Sequence, residues 1–401
     1  MAVTAPHIAG VAFEPGLAAR RVTILGSTGS VGKNTVELIE SAGGGYVVEA
    51  LTANSNVTLL AQQARRLRPR FVAIADPTKY EALRSALEGS GIQVGSGPEA
   101  VTEAAQRPAD WVMAAIVGAA GLGATLAAIR RGAVVALANK ETLVCAGPLM
   151  MAEVTRHRAT LLPVDSEHNA IFQVFDFDNR DAIDRIILTA SGGPFRQLDR
   201  AGMAGVTPAQ AIAHPTWEMG QKISVDSATM MNKGLEIIEA HHLFGMPPEK
   251  IEVLLHPQSV VHSLVAYVDG SVLAQLGAPD MRTPIAYTLA WPQRLAFAGR
   301  RLDLAALGTL TFEPPDEQRF PALRLAREAL QCGGGAPTIL NAANEVAVEG
   351  FIAGRIGFLD IAGAVEEVLA QVPVGTFATL EDVLETDAIA RRFARNIIER
   401  I

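Results

Sequence analysis

Short apolar runs alternate with helical patterns through the first part of the chain, and this alternation sets the architecture. Residues 21–25 (RVTIL), 46–52 (YVVEALT), 71–75 (FVAIA) and 111–117 (WVMAAIV) read as strands, and 133–138 and 160–164 continue the series. Helical stretches fall between them, as at 58–67 and 80–87. Strands alternating with helices predict a parallel, doubly wound sheet.

The pattern changes near Asp165. Strand-like runs at 186–189, 251–255 and 271–276 surround a Gly/Pro-rich stretch from Ser191 to Gly220. Long irregular segments inside compact domains are usually lids or binding loops, so residues 192–221 are expected to form a lid. Residues 311–320 (TFEPPDEQRF) have linker chemistry, and beyond them Val365, Val368, Leu369 and Val372 keep helical spacing. The expected fold class is α/β: an N-terminal doubly wound, Rossmann-like domain (21–164), a central α+β catalytic domain (165–300), a linker (301–320) and a C-terminal all-helical domain (321–401). The first twenty residues carry Glu14, lack a basic start followed by an apolar core, and read as a short disordered leader.

Composition narrows the function classes. With 49% hydrophobic and 19% charged residues the 401-residue chain fits a soluble globular protein. No uninterrupted apolar run approaches the ~18 residues a membrane span needs. A net charge of −8 without a basic stripe argues against a nucleic-acid partner. Two cysteines without CxxC spacing fit a reduced, cytoplasmic compartment.

The densest chemistry lies at 224–236, SVDSATMMNKGLE. Ser227, Thr229, Asn232 and Lys233 can all donate to a phosphate, whereas Glu236 cannot unless protonated. If the segment's end is helical, Asn232 and Glu236 share one face with Lys233 beside them. A carboxylate among anion-friendly donors suggests a second partner, such as a metal ion. The alternative is a capped helix with a solvated face.

After the first strand comes GSTGSVG (26–32), a GxxGxxG turn in strand–turn–helix context. Glycines there let backbone approach a pyrophosphate, and the helix N-terminus supplies N–H groups. Thr28 and Ser30 add hydroxyls, and an ordinary tight turn is the alternative. NAD-preferring sites place an acid at the end of the second strand, but this chain has Asn54, Ser55 and Asn56 there. That favours NADP. Glu49 lies three residues before the turn and is expected to point elsewhere.

A further strand ends in Asp165, Ser166 and Glu167. If the backbone stays extended, both carboxylates face one side, and a cation between them relieves their repulsion. An oxygen-only donor set points to Mg²⁺ or Mn²⁺, with Glu236 as a third ligand. A helix-cap string is the alternative. Lys140 stands at another strand end, where it can neutralise a substrate oxygen or anchor a cofactor. SGGP from Ser191 and HPTW ending at Trp217 bracket the expected lid. Cys145 reads as a buried structural thiol, and His241, His242 and His256 receive no role.

Taken together, GSTGSVG, NKET, DSEHNA, SGGPF, HPTWEMG and SVDSATMMNKGLE resemble the 1-deoxy-D-xylulose 5-phosphate reductoisomerase family, in order and over nearly the whole chain from about Val22. The resemblance implies NADPH- and divalent-metal-dependent (Mg²⁺ or Mn²⁺) conversion of 1-deoxy-D-xylulose 5-phosphate to 2-C-methyl-D-erythritol 4-phosphate, in the non-mevalonate route to isoprenoids, by a homodimer. It implies Asp165, Glu167 and Glu236 as metal ligands, and Ser166 and Lys140 at the substrate's carbonyl and hydroxyl end. Ser191, Ser227, Asn232 and Lys233 would hold phosphate, with His214 and Trp217 on the lid. Lys140, Glu167 and His214 would be catalytic. Thr28, Gly29, Ser30, Val31, Asn54, Ser55, Asn56, Asn139, Glu141 and Gly220 would line the cofactor. Family members often carry a Lys or Arg where this chain has Ser55. Its loss removes a charge-assisted contact to the 2′-phosphate.

Two other readings compete with this one. One is a metal-free NAD(P) dehydrogenase of the sugar or semialdehyde type using Lys140 or Cys145. The other is a catalytically silent NADP-binding regulator whose helical tail binds partners.

Overall fold

The computed structural model describes residues 19–213, 217 and 219–401. Strands β1 (Arg20–Leu25), β2 (Tyr46–Ala53), β3 (Phe71–Ile74), β4 (Gln93–Ser96), β5 (Trp111–Ala114), β6 (Val134–Leu137) and β7 (Thr160–Pro163) form one sheet. Its order is β4-β3-β2-β1-β5-β6-β7, and every pairing is parallel. Ile24, Leu51, Val72 and Val112 are wholly buried, as expected where helices cover both faces. The strand order reverses between β1 and β5, so a crevice opens at the carboxyl ends of those two strands. The sequence reading missed β4 because QVGS is a short, polar edge strand with a single apolar side chain.

A second sheet holds β8 (Ile183–Ala190), β9 (Ile251–Leu255), β10 (Val261–Tyr267) and β11 (Val272–Leu276), in the order β11-β10-β8-β9. Only β8 and β9 run parallel. β10 also went unread: His262 and Ser263 interrupt its apolar pattern, yet both are buried.

Two boundaries differ from expectation. The Arg282–Ala290 helix, assigned from sequence to the central domain, buries Ile285, Ala286 and Leu289 in the first sheet's core, beside Val36 and Ile39. Residues 301–320 are more than a linker. Glu313 exchanges two backbone hydrogen bonds with Leu255, at 2.8 and 3.0 Å. Pro314 holds the residue before it extended, which presents Glu313 to the edge of β9.

Residues 191–220 contain two short capped helices, Arg200–Ala204 and Pro208–Ile212. The donor-rich 224–236 segment is also not one helix. It divides into Gln221–Thr229 and Met231–Phe244, separated by Met230 at φ 65°. The C-terminal part is helical, with Ala322–Cys332, Ala336–Ile352, Asp360–Gln371 and Leu380–Ile398. Ala336–Ile352 is buried on most of its circumference, and Thr338, Asn341 and Asn344 on it are fully covered. Among the described residues no helix is long and apolar enough to cross a membrane.

Candidate active site

The ends of β7 and β8 and the start of the Met231–Phe244 helix enclose an open cleft with a cavity volume of about 230 Å³. At its base the nearest oxygens of Asp165, Glu167 and Glu236 lie within 4.8 Å of one another. They meet for a different reason from the one expected. β7 ends at Pro163, and Asp165 caps the Ser166–Val174 helix by accepting from the Glu167 N–H at 3.3 Å. Glu167 therefore approaches from a helical first turn and not from a pleated strand. Glu236 is wholly buried, one turn along its own helix from Asn232.

Two ammonium groups balance these carboxylates. Lys140 Nζ lies 2.8 Å from Asp165 and 3.4 Å from Glu236, while Lys233 Nζ is 3.2 Å from Glu167 and also pairs with Glu236. Burial would depress the Lys140 ammonium, but Asp165 and Glu236 hold it well above the usual lysine range. Burial and the adjacent Glu236 push Glu167 up to about 7, despite Lys233. Burial would raise Asp165, but Lys140, His168 and Lys233 together hold it well below the carboxylate range. Three carboxylates, Glu236 buried and Asp165 and Glu167 half-buried, fit Mg²⁺ or Mn²⁺ and would serve zinc poorly.

Behind the cluster, burial opposes a charge on His168, yet Glu239 at 3.0 Å raises it to about 9. Its other ring nitrogen lies 3.0 Å from the Glu236 carbonyl, so this charged pair fixes the backbone that carries Glu236.

The expected phosphate side chains reach the same cleft. Ser191, Ser227, Asn232 and Lys233 all line it. The glycines after Ser191 are required there: Gly193 has φ 66°, and a Cβ on it would stand 2.7 Å from the Ser227 carbonyl. The SGGP loop thus lies directly on the Ser227 backbone. Asn232 and Lys233 turn their polar ends to the carboxylates, with Asn232 donating to Glu236 at 2.5 Å and accepting from Lys140 at 2.8 Å. Ser166 donates to Glu167 at 2.7 Å. Trp217 is half-buried beside His262, ring centroids 6.2 Å apart. His214 lies outside the described residues.

The GSTGSVG turn is tied to β2 by Gly26 N–H to Thr52 Oγ1 at 2.9 Å and Ser27 N–H to the Thr52 carbonyl at 2.8 Å. Gly29 precedes the Ser30–Ser41 helix, and Ser30, Val31 and Gly220 line the cleft mouth. Thr28 is half-buried in the same turn. Asn54, Ser55 and Asn56 are exposed at the end of β2, where Asn56 caps the Val57–Leu67 helix. Glu49 is buried elsewhere, 3.5 Å from Arg107 and 3.8 Å from Arg70.

Of the ten expected cofactor residues, Ser30, Val31 and Gly220 line the cleft and the other seven do not, and two of those seven spend their side chains on protein partners. The Asn139 amide donates to the Ile116 and Gly118 carbonyls and so shapes the turn after β5. Glu141 is buried 3.5 Å from Lys222. Conversely, His256, Ser259 and His262 line the cleft although sequence reasoning gave them no role. Their signal was the string HPQSVVHS (256–263), hidden because β10 was not read as a strand. Burial lowers His262 below the usual histidine range.

A doubly wound nucleotide-binding sheet joined to a carboxylate-lined cleft defines this chain as a dinucleotide-linked oxidoreductase. Family models described as 1-deoxy-D-xylulose 5-phosphate reductoisomerase and its C-terminal domain match residues 22–147 and 161–244, and one described as the DXP reductoisomerase C-terminal domain matches 276–393. The chain is 67% identical to 1-deoxy-D-xylulose 5-phosphate reductoisomerase of Rhodospirillum centenum over 94% of each chain. It is similar to the solved structure of the Zymomonas mobilis enzyme in complex with NADPH, with a TM-score of 0.91, 55% identity, and 96% of this chain and 100% of that one covered. It is also similar to a DOX-P reductoisomerase solved with NADPH, fosmidomycin and magnesium, with a TM-score of 0.91, 44% identity, and coverage of 95% and 98%. The chain belongs to the 1-deoxy-D-xylulose 5-phosphate reductoisomerase family.

Proposed function

We propose that this chain converts 1-deoxy-D-xylulose 5-phosphate to 2-C-methyl-D-erythritol 4-phosphate, using NADPH and a divalent cation, Mg²⁺ or Mn²⁺. The observation that carries the reading is the convergence of Asp165, Glu167 and Glu236 beside the donors Ser191, Ser227, Asn232 and Lys233 in one cleft. Bound there, the cation would polarise the substrate's carbonyl and hydroxyl oxygens, and NADPH would supply hydride.

The protein's own residues bind and orient. Lys140 and Ser166 stand over the carboxylates, where they can hold the reacting oxygens. Ser191, Ser227, Asn232 and Lys233 face the phosphate, and binding energy gained there serves orientation at the distant reacting carbons. Trp217 and the 192–221 lid exclude water from the closed site. The GSTGSVG turn and Asn54, Ser55 and Asn56 receive the dinucleotide; Asn139 and Glu141 act on it by supporting the backbone around it.

The same reading divides the chain into an NADP-binding domain (21–164) joined by the Arg282–Ala290 helix, a catalytic domain made of the rest of 165–300, a connecting segment (301–320) that pairs with the edge of β9, and a helical domain (321–401). A homodimer joined at the edge of the second sheet is part of it: Val268, Val272 and Leu273 are 68%, 50% and 49% exposed beside the unpaired side of β11. A reduced, cytoplasmic setting suits the free thiols of Cys145 and Cys332.

The test is NADPH oxidation with 1-deoxy-D-xylulose 5-phosphate after exhaustive chelation, then with Mg²⁺ or Mn²⁺ restored. Turnover should need both the sugar phosphate and the cation. Activity that survives chelation rejects the metal-dependent reading.

A further inference from the structure

The carboxylate of Asp226, immediately before Ser227, is almost wholly buried. One of its oxygens accepts from the Asn344 amide at 2.8 Å, and the other lies 2.8 Å from Lys222 Nζ. Asn344 is fully buried in the Ala336–Ile352 helix, so this bond joins the C-terminal helices to the helix that carries Ser227. Lys222 in turn lies 3.5 Å from Glu141, the residue after Lys140. The adjacent Glu345 is anchored by Arg391 of the last helix at 2.5 Å, and Arg391 is held by Asp387 at 2.7 Å. A buried carboxylate deprived of a donor keeps its desolvation cost, so the Gln221–Thr229 helix would shift to find another. The Gly193 loop rests on the Ser227 carbonyl, so any shift of that helix moves the two serines together.

We infer that Asn344 is a positioning residue for the phosphate end of the site: through Asp226 it sets the helix that bears Ser227, and the C-terminal helical domain thereby tunes substrate binding. The inference rests on the activity proposed above.

The experiment compares wild type, Asn344→Leu, Asn344→Asp, and Asn344→Asp combined with Asp226→Asn. The readouts are KM and kcat for 1-deoxy-D-xylulose 5-phosphate, inhibition by inorganic phosphate, NADPH affinity by fluorescence, and melting temperature. In Asn344→Leu, KM and the phosphate inhibition constant should each rise about tenfold, the size of one hydrogen bond to a charged group, with kcat and NADPH affinity unchanged. Asn344→Asp sets two buried carboxylates against each other and should be worse, and the swapped pair should recover most of the loss. Unchanged KM in a folded Asn344→Leu overturns the role, as does an equal loss of kcat, NADPH affinity and KM. If Asn344→Leu does not fold, the swapped pair decides: KM no better than in Asn344→Asp overturns it. Wild type without turnover rejects the activity itself, which separates that failure from this one.

Discussion

Lys140 holds its ammonium 2.8 Å from the Asp165 carboxylate, bridging the chain ends that follow β6 and β7. With Lys233 on the opposite side, two cations face three carboxylates, leaving the cluster one negative charge in excess when all are ionised. A divalent cation entering here competes with both lysines, and a phosphate-bearing ligand would give Lys233 another partner. Glu236 touches both lysines and Asn232, so it is the residue whose charge matters most to this exchange. Glu236→Gln should abolish turnover mainly by weakening metal binding, by more than the roughly 10–100-fold typical of losing an outer partner of a ligand. Mn²⁺ titration by calorimetry checks this, and unchanged metal affinity would sink the ligand assignment.

The cofactor end predicts a gain. The segment 52–56 has no basic side chain, and the nearest arginines beyond it are engaged: Arg65 donates to the Ala86 carbonyl at 2.5 Å, and Arg66 pairs with Glu40 at 2.9 Å. A 2′-phosphate would therefore meet hydroxyl, amide and helix N-terminal donors. Ser55→Arg should tighten NADPH about tenfold by adding a charge-assisted contact, and leave NADH unchanged. Fluorescence titration at low and high salt reads both affinities. The gain should shrink with salt, because the site is exposed. Equal tightening of NADH would place Ser55 away from the 2′-phosphate.

His242 gives the pH dependence of stability. Burial, with His241 beside it, lowers His242 from 6.5 to about 4. Its ring packs where a Cβ on Gly147 would sit. A histidine depressed in the folded state binds its proton more readily when unfolded. The His242 contribution to stability is therefore full above pH 6.5 and is lost as pH falls through 6.5 toward 4, by an amount on the order of 2 kcal/mol for this partly exposed ring. His242→Gln should shift stability by a pH-independent packing difference and flatten this acid limb. Denaturant unfolding at several pH values compares the slopes; parallel curves for the two proteins would remove His242 from the explanation.

Much of the first sheet was legible because parallel strands buried on both faces carry uninterrupted apolar runs, as Ile24 and Val112 do. β4 and β10 were hidden by polar residues, exposed in one case and buried in the other. The three carboxylates were readable as residue types at strand and helix ends. Their meeting was not, since the Asp165 cap and the left-handed Met230 between two helices are tertiary outcomes. Asn139 and Glu141 show the opposite limit. The family resemblance implied cofactor contacts for both, and each spends its polar end on protein partners.

The contact between Gly193 and Ser227 supplies the last prediction. Gly193 sits at φ 66°, and a methyl group there would lie 2.7 Å from the Ser227 carbonyl and 2.9 Å from the Ala228 Cα. Left-handed backbone costs an L-residue roughly 1–2 kcal/mol, and the clash adds to that because backbone on both sides cannot rotate away as a side chain would. The cheapest relief is for the SGGP loop to lift from the helix, carrying Ser191 away from Ser227. Gly193→Ala should therefore raise KM for the sugar phosphate by at least about tenfold, while NADPH affinity, set at the GSTGSVG turn, stays the same. Steady-state kinetics with a parallel NADPH titration measures both. Gly205→Ala is the control, since a Cβ there meets no atom within 4 Å and its φ is −103°. A KM for Gly193→Ala no higher than for Gly205→Ala would mean that Ser191 and Ser227 do not bind one phosphate.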